Sequence, residues 1–184
     1  MLVRHANSRF NLRWTQAEEA IAQGLSTETA FLDVVSDRDL LDCHLSVLGE
    51  EQCREGAILA SQLPGLGTVF VSPMRRALQT AYLLFRDHPN FSRIKFVAHP
   101  LLRENMHTVC DIPESLDLVK GEFAQKFPSL EILLGSREPW YVQDLQEPAR
   151  TRLETACLAA PQRPAKEVVL EEVLITYPER VESP

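Results

Sequence analysis

Two short apolar segments of this sequence each end in cationic side chains. Residues 2–3 run directly into Arg4 and His5, and residues 69–71 lead shortly afterwards to Arg76. Each segment has the pattern of a strand, and strand ends that bring positive charge to one point form anion sites in open α/β sheets. A histidine held between arginines in such a site is placed to attack a phosphorus atom. The sequence therefore predicts a phosphate site at which the two segments meet.

The residue types at this site suit the hydrolysis of a phosphomonoester. Such a substrate carries about two negative charges, which the planar guanidinium of arginine neutralises through paired hydrogen bonds to the phosphate oxygens. Histidine can accept the phosphoryl group and so divide hydrolysis into two easier steps. The leaving alkoxide then needs a proton from a carboxyl group with a raised pKa. Glu104, which follows the third predicted strand, is the candidate for that role, whereas Arg75 is expected to face solvent.

Strand and helix patterns alternate along the chain, as they do in α/β proteins with a parallel sheet. The strands are predicted over residues 1–4, 67–71 and 94–98. The helices are predicted over residues 15–22, 49–63, 73–85, 115–127 and 150–160. We therefore expect a single domain over residues 1–184, a three-layer sandwich with a mostly parallel sheet flanked by helices. Residues 12–40 have the character of an insert in this domain.

Composition excludes several classes of function. The chain of 184 residues is 45% hydrophobic, which is enough for one domain with a core. Its net charge of −7 and the lack of a basic stripe argue against nucleic-acid binding, and no apolar run reaches membrane-spanning length. The four cysteines lack zinc-site spacing, so we expect reduced thiols, no bound metal and a cytoplasmic location.

Four short motifs follow one another in the sequence. They are Arg4-His5-Ala6 with Asn11, Asp42 with residues 45–52, residues 72–81, and Leu102-Arg103-Glu104. In this order they resemble the motifs of the histidine phosphatase superfamily, the phosphoglycerate mutase-like family.

This resemblance implies roles for the candidate residues. His5 is the nucleophile that becomes phosphorylated, and Glu104 is the proton donor. The implied phosphate contacts are Arg4, Asn11 and Arg76. Arg103 is a further candidate for substrate binding, with exposure to solvent as the alternative. The family needs neither a metal nor an organic cofactor.

The resemblance ends before the last motif of the family, which carries a second essential histidine in V-x-H-G. Residues 163–169 look like the approach to the strand that bears it, but residues 170–184 contain neither histidine nor glycine. A donor lost from a phosphate clamp costs about 10²–10³ in rate. Glu171 and Glu172 would in addition repel an anionic substrate. We therefore expect an incomplete C-terminal part and weak or absent activity.

The function predicted from the sequence is hydrolysis of a small phosphorylated metabolite through a phosphohistidine at His5. Two alternatives stay open. One is phosphotransfer of the phosphoglycerate mutase type, which isomerises phosphoglycerate with no net release of phosphate. The other is a non-catalytic module of the same fold that binds phosphate or protein. The sequence predicts no oligomeric state.

Overall fold

A computed structural model describes residues 3–104, 106–133, 141 and 149–181. The strands are β1 (Thr68–Val71), β2 (Lys95–Ala98) and β3 (Leu130–Ile132). The helices are α1 (Arg9–Ala22), α2 (Thr27–Val35), α3 (Val47–Ala60), α4 (Arg75–Phe85), α5 (Leu116–Phe123), α6 (Ala149–Ala159) and α7 (Ala165–Val181). Short 3₁₀ turns cover Arg38–Leu40, Phe91–Arg93, Pro100–Leu102 and Val109–Asp111.

The strands form one parallel sheet in the order β1-β2-β3. Val69 of β1 lies opposite Phe96 of β2, and Val97 of β2 lies opposite Glu131 of β3. Parallel neighbours need long crossover connections, which contain α4 between β1 and β2 and α5 between β2 and β3. The predicted α/β fold, with a parallel sheet flanked by helices, is confirmed.

Two apolar clusters stabilise this arrangement. One packs the sheet against α3, α4 and α5, with Phe96 of the central strand fully buried among aromatic neighbours that include Phe85 and Phe127. The other joins α1 and α2 to α6 and α7 through buried side chains such as Val34 and Leu153. The predicted insert is part of the second cluster, because α1 and α2 contribute buried side chains to this cluster.

The strand predicted over residues 1–4 is wrong for the part that the structure describes. Residues 3–7 are irregular, and the nearest pairing is one isolated antiparallel bridge between Ser8 and Leu45. Ser8 caps a helix: its hydroxyl accepts a hydrogen bond from Asn11 N, so α1 begins at Arg9. The backbone N–H groups of Ala6 and Asn7 bond to side chains of α4 and α3, so they join no strand ladder.

Residues 163–169, which look like the approach to a strand of the family that the sequence resembles, lead into a helix instead, since α7 begins at Ala165. Val169 and Val173 are buried one helical turn apart, whereas Glu167 and Glu171 occupy another side of the helix. Tertiary packing thus overrides the strand preference of the β-branched residues. Over the described residues, no helix is long and apolar enough to cross a membrane.

Candidate active site

The segment of residues 3–7 is tied to two helices through its backbone. Ala6 N donates a hydrogen bond to Thr80 Oγ1 in α4 at 3.1 Å, and Asn7 N donates one to Gln52 Oε1 in α3 at 2.9 Å. These bonds replace the sheet ladder that would position a strand. They fix His5, which directly precedes Ala6, next to α4.

The first turn of α3 approaches the same segment closely. Ser46 caps α3 by accepting a hydrogen bond from Gly49 N at 3.1 Å, and its own backbone N donates to Asn7 O at 2.9 Å. A Cβ on Gly49 would lie 2.0 Å from Asn7 O. Only glycine therefore allows this approach, and the position of residues 5–7 depends on it.

The His5 ring is oriented by a hydrogen bond to the backbone. Its Nδ1 lies 2.8 Å from Ala6 O, and because a carbonyl oxygen only accepts, Nδ1 carries the proton in this bond. The other nitrogen, Nε2, lies 3.7 Å from Glu104 Oε1. Nδ1 is thus occupied by the backbone, and Nε2 is the ring nitrogen on the side of the Glu104 carboxylate.

Arg76 lies in the first turn of α4, and its side chain is almost fully buried. Nη2 donates to Glu104 Oε2 at 2.9 Å and to Asp111 Oδ1 at 3.1 Å, while Nη1 donates to Cys110 O at 2.5 Å. Burial disfavours the charged guanidinium, but the surrounding acidic groups outweigh burial and raise the pKa of Arg76. The guanidinium is therefore a fixed positive charge beside His5.

The Glu104 carboxylate is shared between the histidine and the arginine. The neighbouring His5 is the main cause that lowers the pKa of Glu104 to about 2; partial burial opposes this effect, and the charge of Arg76 adds to it. A proton donor needs a raised pKa, so in this arrangement Glu104 is a base rather than an acid. A phosphoryl group bound beside it would add negative charge and raise that pKa.

A cleft of about 590 Å³ opens between residues 3–5, β1 and α4. Its polar lining residues are Arg4, His5, Thr68, Ser72, Arg76, Thr80 and Glu104. The other lining residues are apolar and come from Val3, β1, α4 and the segments next to them. The structure thus brings four predicted site residues, Arg4, His5, Arg76 and Glu104, to one cleft.

Two further predicted contacts are not among the residues that line the cleft. The Asn11 side chain completes the cap of α1, where its Oδ1 accepts hydrogen bonds from the Ser8 backbone N and hydroxyl. Arg103 donates from Nη2 to Tyr141 O at 2.7 Å. Their proposed roles in substrate binding stay predictions that this arrangement does not support. Glu171 pairs with Arg163 and Glu172 with Arg152, and neither glutamate is among the residues that line the cleft, so the expected repulsion of substrate stays a prediction.

Two buried aspartates behind the site were given no role from the sequence. Asp111 orients Arg76 and accepts backbone hydrogen bonds from His107 and Thr108, each at 3.1 Å. Asp42 accepts from the backbone N of Arg75 and of Glu114. Burial raises the pKa of Asp42 to about 6, although these hydrogen bonds and the nearby arginines oppose it.

Arg75 does not face solvent as expected. Its Nε donates to Glu122 Oε2 at 2.9 Å, and His44 Nε2 lies 2.7 Å from the other oxygen of the same carboxylate. These bonds link the start of α4 to α5 and hold Arg75 away from the cleft. Within the described part of the chain, no group of three or more histidine, cysteine or acidic side chains forms a metal site.

A scan against models of known protein families matched none of them, and a search of curated proteins found no relative. The resemblance to the histidine phosphatase superfamily therefore depends on the four sequence motifs alone, and membership of that family is a proposal.

Proposed function

We propose that this chain hydrolyses phosphomonoesters through a phosphohistidine at Nε2 of His5. The observation that carries the proposal is the meeting of His5, Arg76 and Glu104 in one cleft, although they come from three separate segments. The Glu104 carboxylate lies 3.7 Å from a ring nitrogen of His5 and 2.9 Å from the fixed cation of Arg76. A nucleophilic nitrogen, a cation and a carboxylate are the groups that phosphoryl transfer to histidine requires. Arg4 adds a second cationic side chain to the lining of the cleft.

In the first step, the Nε2 lone pair of His5 attacks the phosphorus atom and the bond from phosphorus to the ester oxygen breaks. When substrate binds, a phosphate oxygen takes the place of Glu104 as the acceptor for Arg76 Nη2. The Glu104 carboxylate then loses Arg76, one of its two positive partners. The phosphoryl charge raises the pKa of Glu104 as well, so the carboxyl group takes up a proton with the substrate and delivers it to the leaving alkoxide. Asp111 keeps the guanidinium in place during this exchange.

In the second step, water attacks the phosphohistidine. The Glu104 carboxylate accepts a proton from the water, the phosphorus–nitrogen bond breaks, and inorganic phosphate leaves with His5 regenerated. Neither a metal nor a cofactor takes part in these steps. Among the described residues, His5 is the only histidine that lines the cleft, so the slow turnover expected from the sequence remains part of the proposal. The cytoplasmic location is part of it too.

A specific observation also favours a second candidate, a module that binds phosphate without turnover. Arg76 already has two carboxylate partners, and the pKa of Glu104 is about 2. Proton delivery therefore depends on a large rise in the pKa of Glu104 when substrate binds. If this pKa rises too little, the cleft binds phosphate esters but does not hydrolyse them.

Release of p-nitrophenol from p-nitrophenyl phosphate separates these candidates. We expect turnover in the wild-type chain and its loss in His5→Ala, whereas His107→Ala is the matched control because its side chain is exposed and outside the cleft lining. Binding of inorganic phosphate without turnover would support the module instead. Equal turnover in the two histidine variants would contradict the role of His5.

A further inference from the structure

The strand that borders the cleft has one open side. Gly67 O and Val71 O accept hydrogen bonds from Lys95 N and His99 N, each at 2.9 Å, so these residues bond towards β2. Alternate residues of a paired strand turn their backbone groups to opposite sides, so the N–H and C=O of Thr68 and Phe70 point the other way. Within the described ranges, β1 is an edge of the sheet and no strand lies on that side.

The open edge and the His5 cluster, formed by His5, Arg76 and Glu104, belong to one continuous cleft. Thr68 and Phe70 line it together with His5 and Arg76. At about 3.3 Å per residue, β1 runs about 10 Å from Thr68 to Val71, and the chain then continues to Arg76 at the start of α4. An elongated ligand can therefore lie along the strand with one end at the arginine.

The lining of the cleft indicates what kind of ligand this is. Along β1 the lining is mostly apolar and includes Leu66, Leu84 and Phe70, and Phe70 is 62% exposed. A polyhydroxylated or highly charged metabolite would leave these walls and the backbone groups of β1 without partners. A lipid would cover the walls but offer no row of hydrogen-bonding groups. An extended peptide supplies both, since it adds a strand through its backbone and packs alternate side chains.

We propose that the substrate is a phosphorylated residue within an extended peptide segment, which pairs with the open edge of β1 and places its phosphoryl group at Arg76 and His5. The charge of Arg4 and Arg76 complements the phosphoryl end, and the apolar walls complement the flanking side chains. The phosphoryl end rests on the proposed function, whereas the strand pairing does not. Under this proposal the substrate is a phosphopeptide, whereas the sequence predicts a small phosphorylated metabolite.

The test measures binding of fluorescein-labelled peptides in which a phosphoserine is flanked by valine and alanine residues. We expect the phosphopeptide to bind at least about tenfold more tightly than phosphoserine amide, because several backbone bonds and side-chain contacts are added. Two further peptides carry N-methyl groups on alternate residues, in one frame or the other. If the peptide pairs as a strand, the peptide methylated in one frame should bind about tenfold more weakly. The peptide methylated in the other frame should keep its affinity. Equal affinity of both frames, or no gain over phosphoserine amide, would overturn the proposal.

A pair of variants locates the peptide. Phe70→Ser should weaken phosphopeptide binding about tenfold through lost apolar contact. Leu59→Ser is the control, because Leu59 is 71% exposed on α3 and is not part of the cleft lining. Equal effects of the two substitutions would overturn the assignment. It would also be overturned if the chain bound phosphatidic acid vesicles instead of the peptide, or formed a dimer that the peptide cannot dissociate.

The outcomes separate this proposal from the proposed function. A chain that binds the phosphopeptide in one N-methyl frame but forms no phosphohistidine upholds the peptide site and contradicts the hydrolysis. A chain that hydrolyses p-nitrophenyl phosphate with no gain from peptide flanks upholds the hydrolysis and overturns the peptide site.

Discussion

Replacing Gly49 with alanine tests how the N-terminal segment is positioned. The added Cβ would lie 2.0 Å from Asn7 O, which is a backbone atom and cannot rotate away. The two segments must separate by roughly 1.4 Å to reach an ordinary contact. Overpacking of this kind lowers the free energy of unfolding by about 1–3 kcal/mol. Because Asn7 lies two positions after His5, the shift reaches the nucleophile, and a displacement of about 1 Å there lowers the rate about 10²-fold.

Gly121 provides the matched control for this substitution. It lies in α5, and a Cβ there would meet nothing within 4 Å. Alanine at this position should raise the free energy of unfolding by up to about 1 kcal/mol through helix propensity, with no change in rate. Urea denaturation gives the stability of both variants, and p-nitrophenyl phosphate turnover gives kcat/KM. Wild-type stability and rate in Gly49→Ala would refute the close approach inferred from the structure.

Two further predictions concern acidic groups around the site. Glu104→Gln should bind inorganic phosphate more tightly by calorimetry, because a carboxylate no longer competes for Arg76, while turnover falls about 10²–10⁴-fold; weaker binding of phosphate would contradict this competition. Burial raises the pKa of Asp42 from 3.8 to about 6, so the stabilisation present below pH 3.8 is lost as pH rises through 6. Relative to Asp42→Asn, the wild-type chain should lose about 3 kcal/mol of unfolding free energy over this range in urea titrations at several pH values, and a constant difference would argue against a buried carboxyl.

The fold was predictable where the hydrophobic pattern and the length of a segment indicate the same type of element. Residues 67–71 and 94–98 have the apolar, β-branched pattern of parallel strands, and they form β1 and β2. The short β3 was not predicted, because three residues with a central glutamate show no measurable period. The resemblance around Val169 points to a strand of the family, but the residues there are buried against other helices and form α7. Local preference is weak compared with packing in such cases.

The site was predictable where the type of a single side chain indicates its chemistry. Arg4, His5, Arg76 and Glu104 were expected together, and they line one cleft. The interactions that orient them were not expected, because Asp111 is 35 positions from Arg76 and no local pattern marks the pair. The open edge of β1 was likewise unpredictable, since it depends on which strands pair in three dimensions.

Trapping the phosphoryl group on the protein tests the central claim most directly. In Glu104→Gln, p-nitrophenolate can leave without a proton, but water attack on the phosphoenzyme loses its base, so the intermediate should accumulate. Alkaline quenching followed by peptide mass spectrometry then locates the group. The account predicts one acid-labile phosphoryl group on His5. Release of p-nitrophenol with no phosphoryl group on His5, or with the group on another residue, would contradict it.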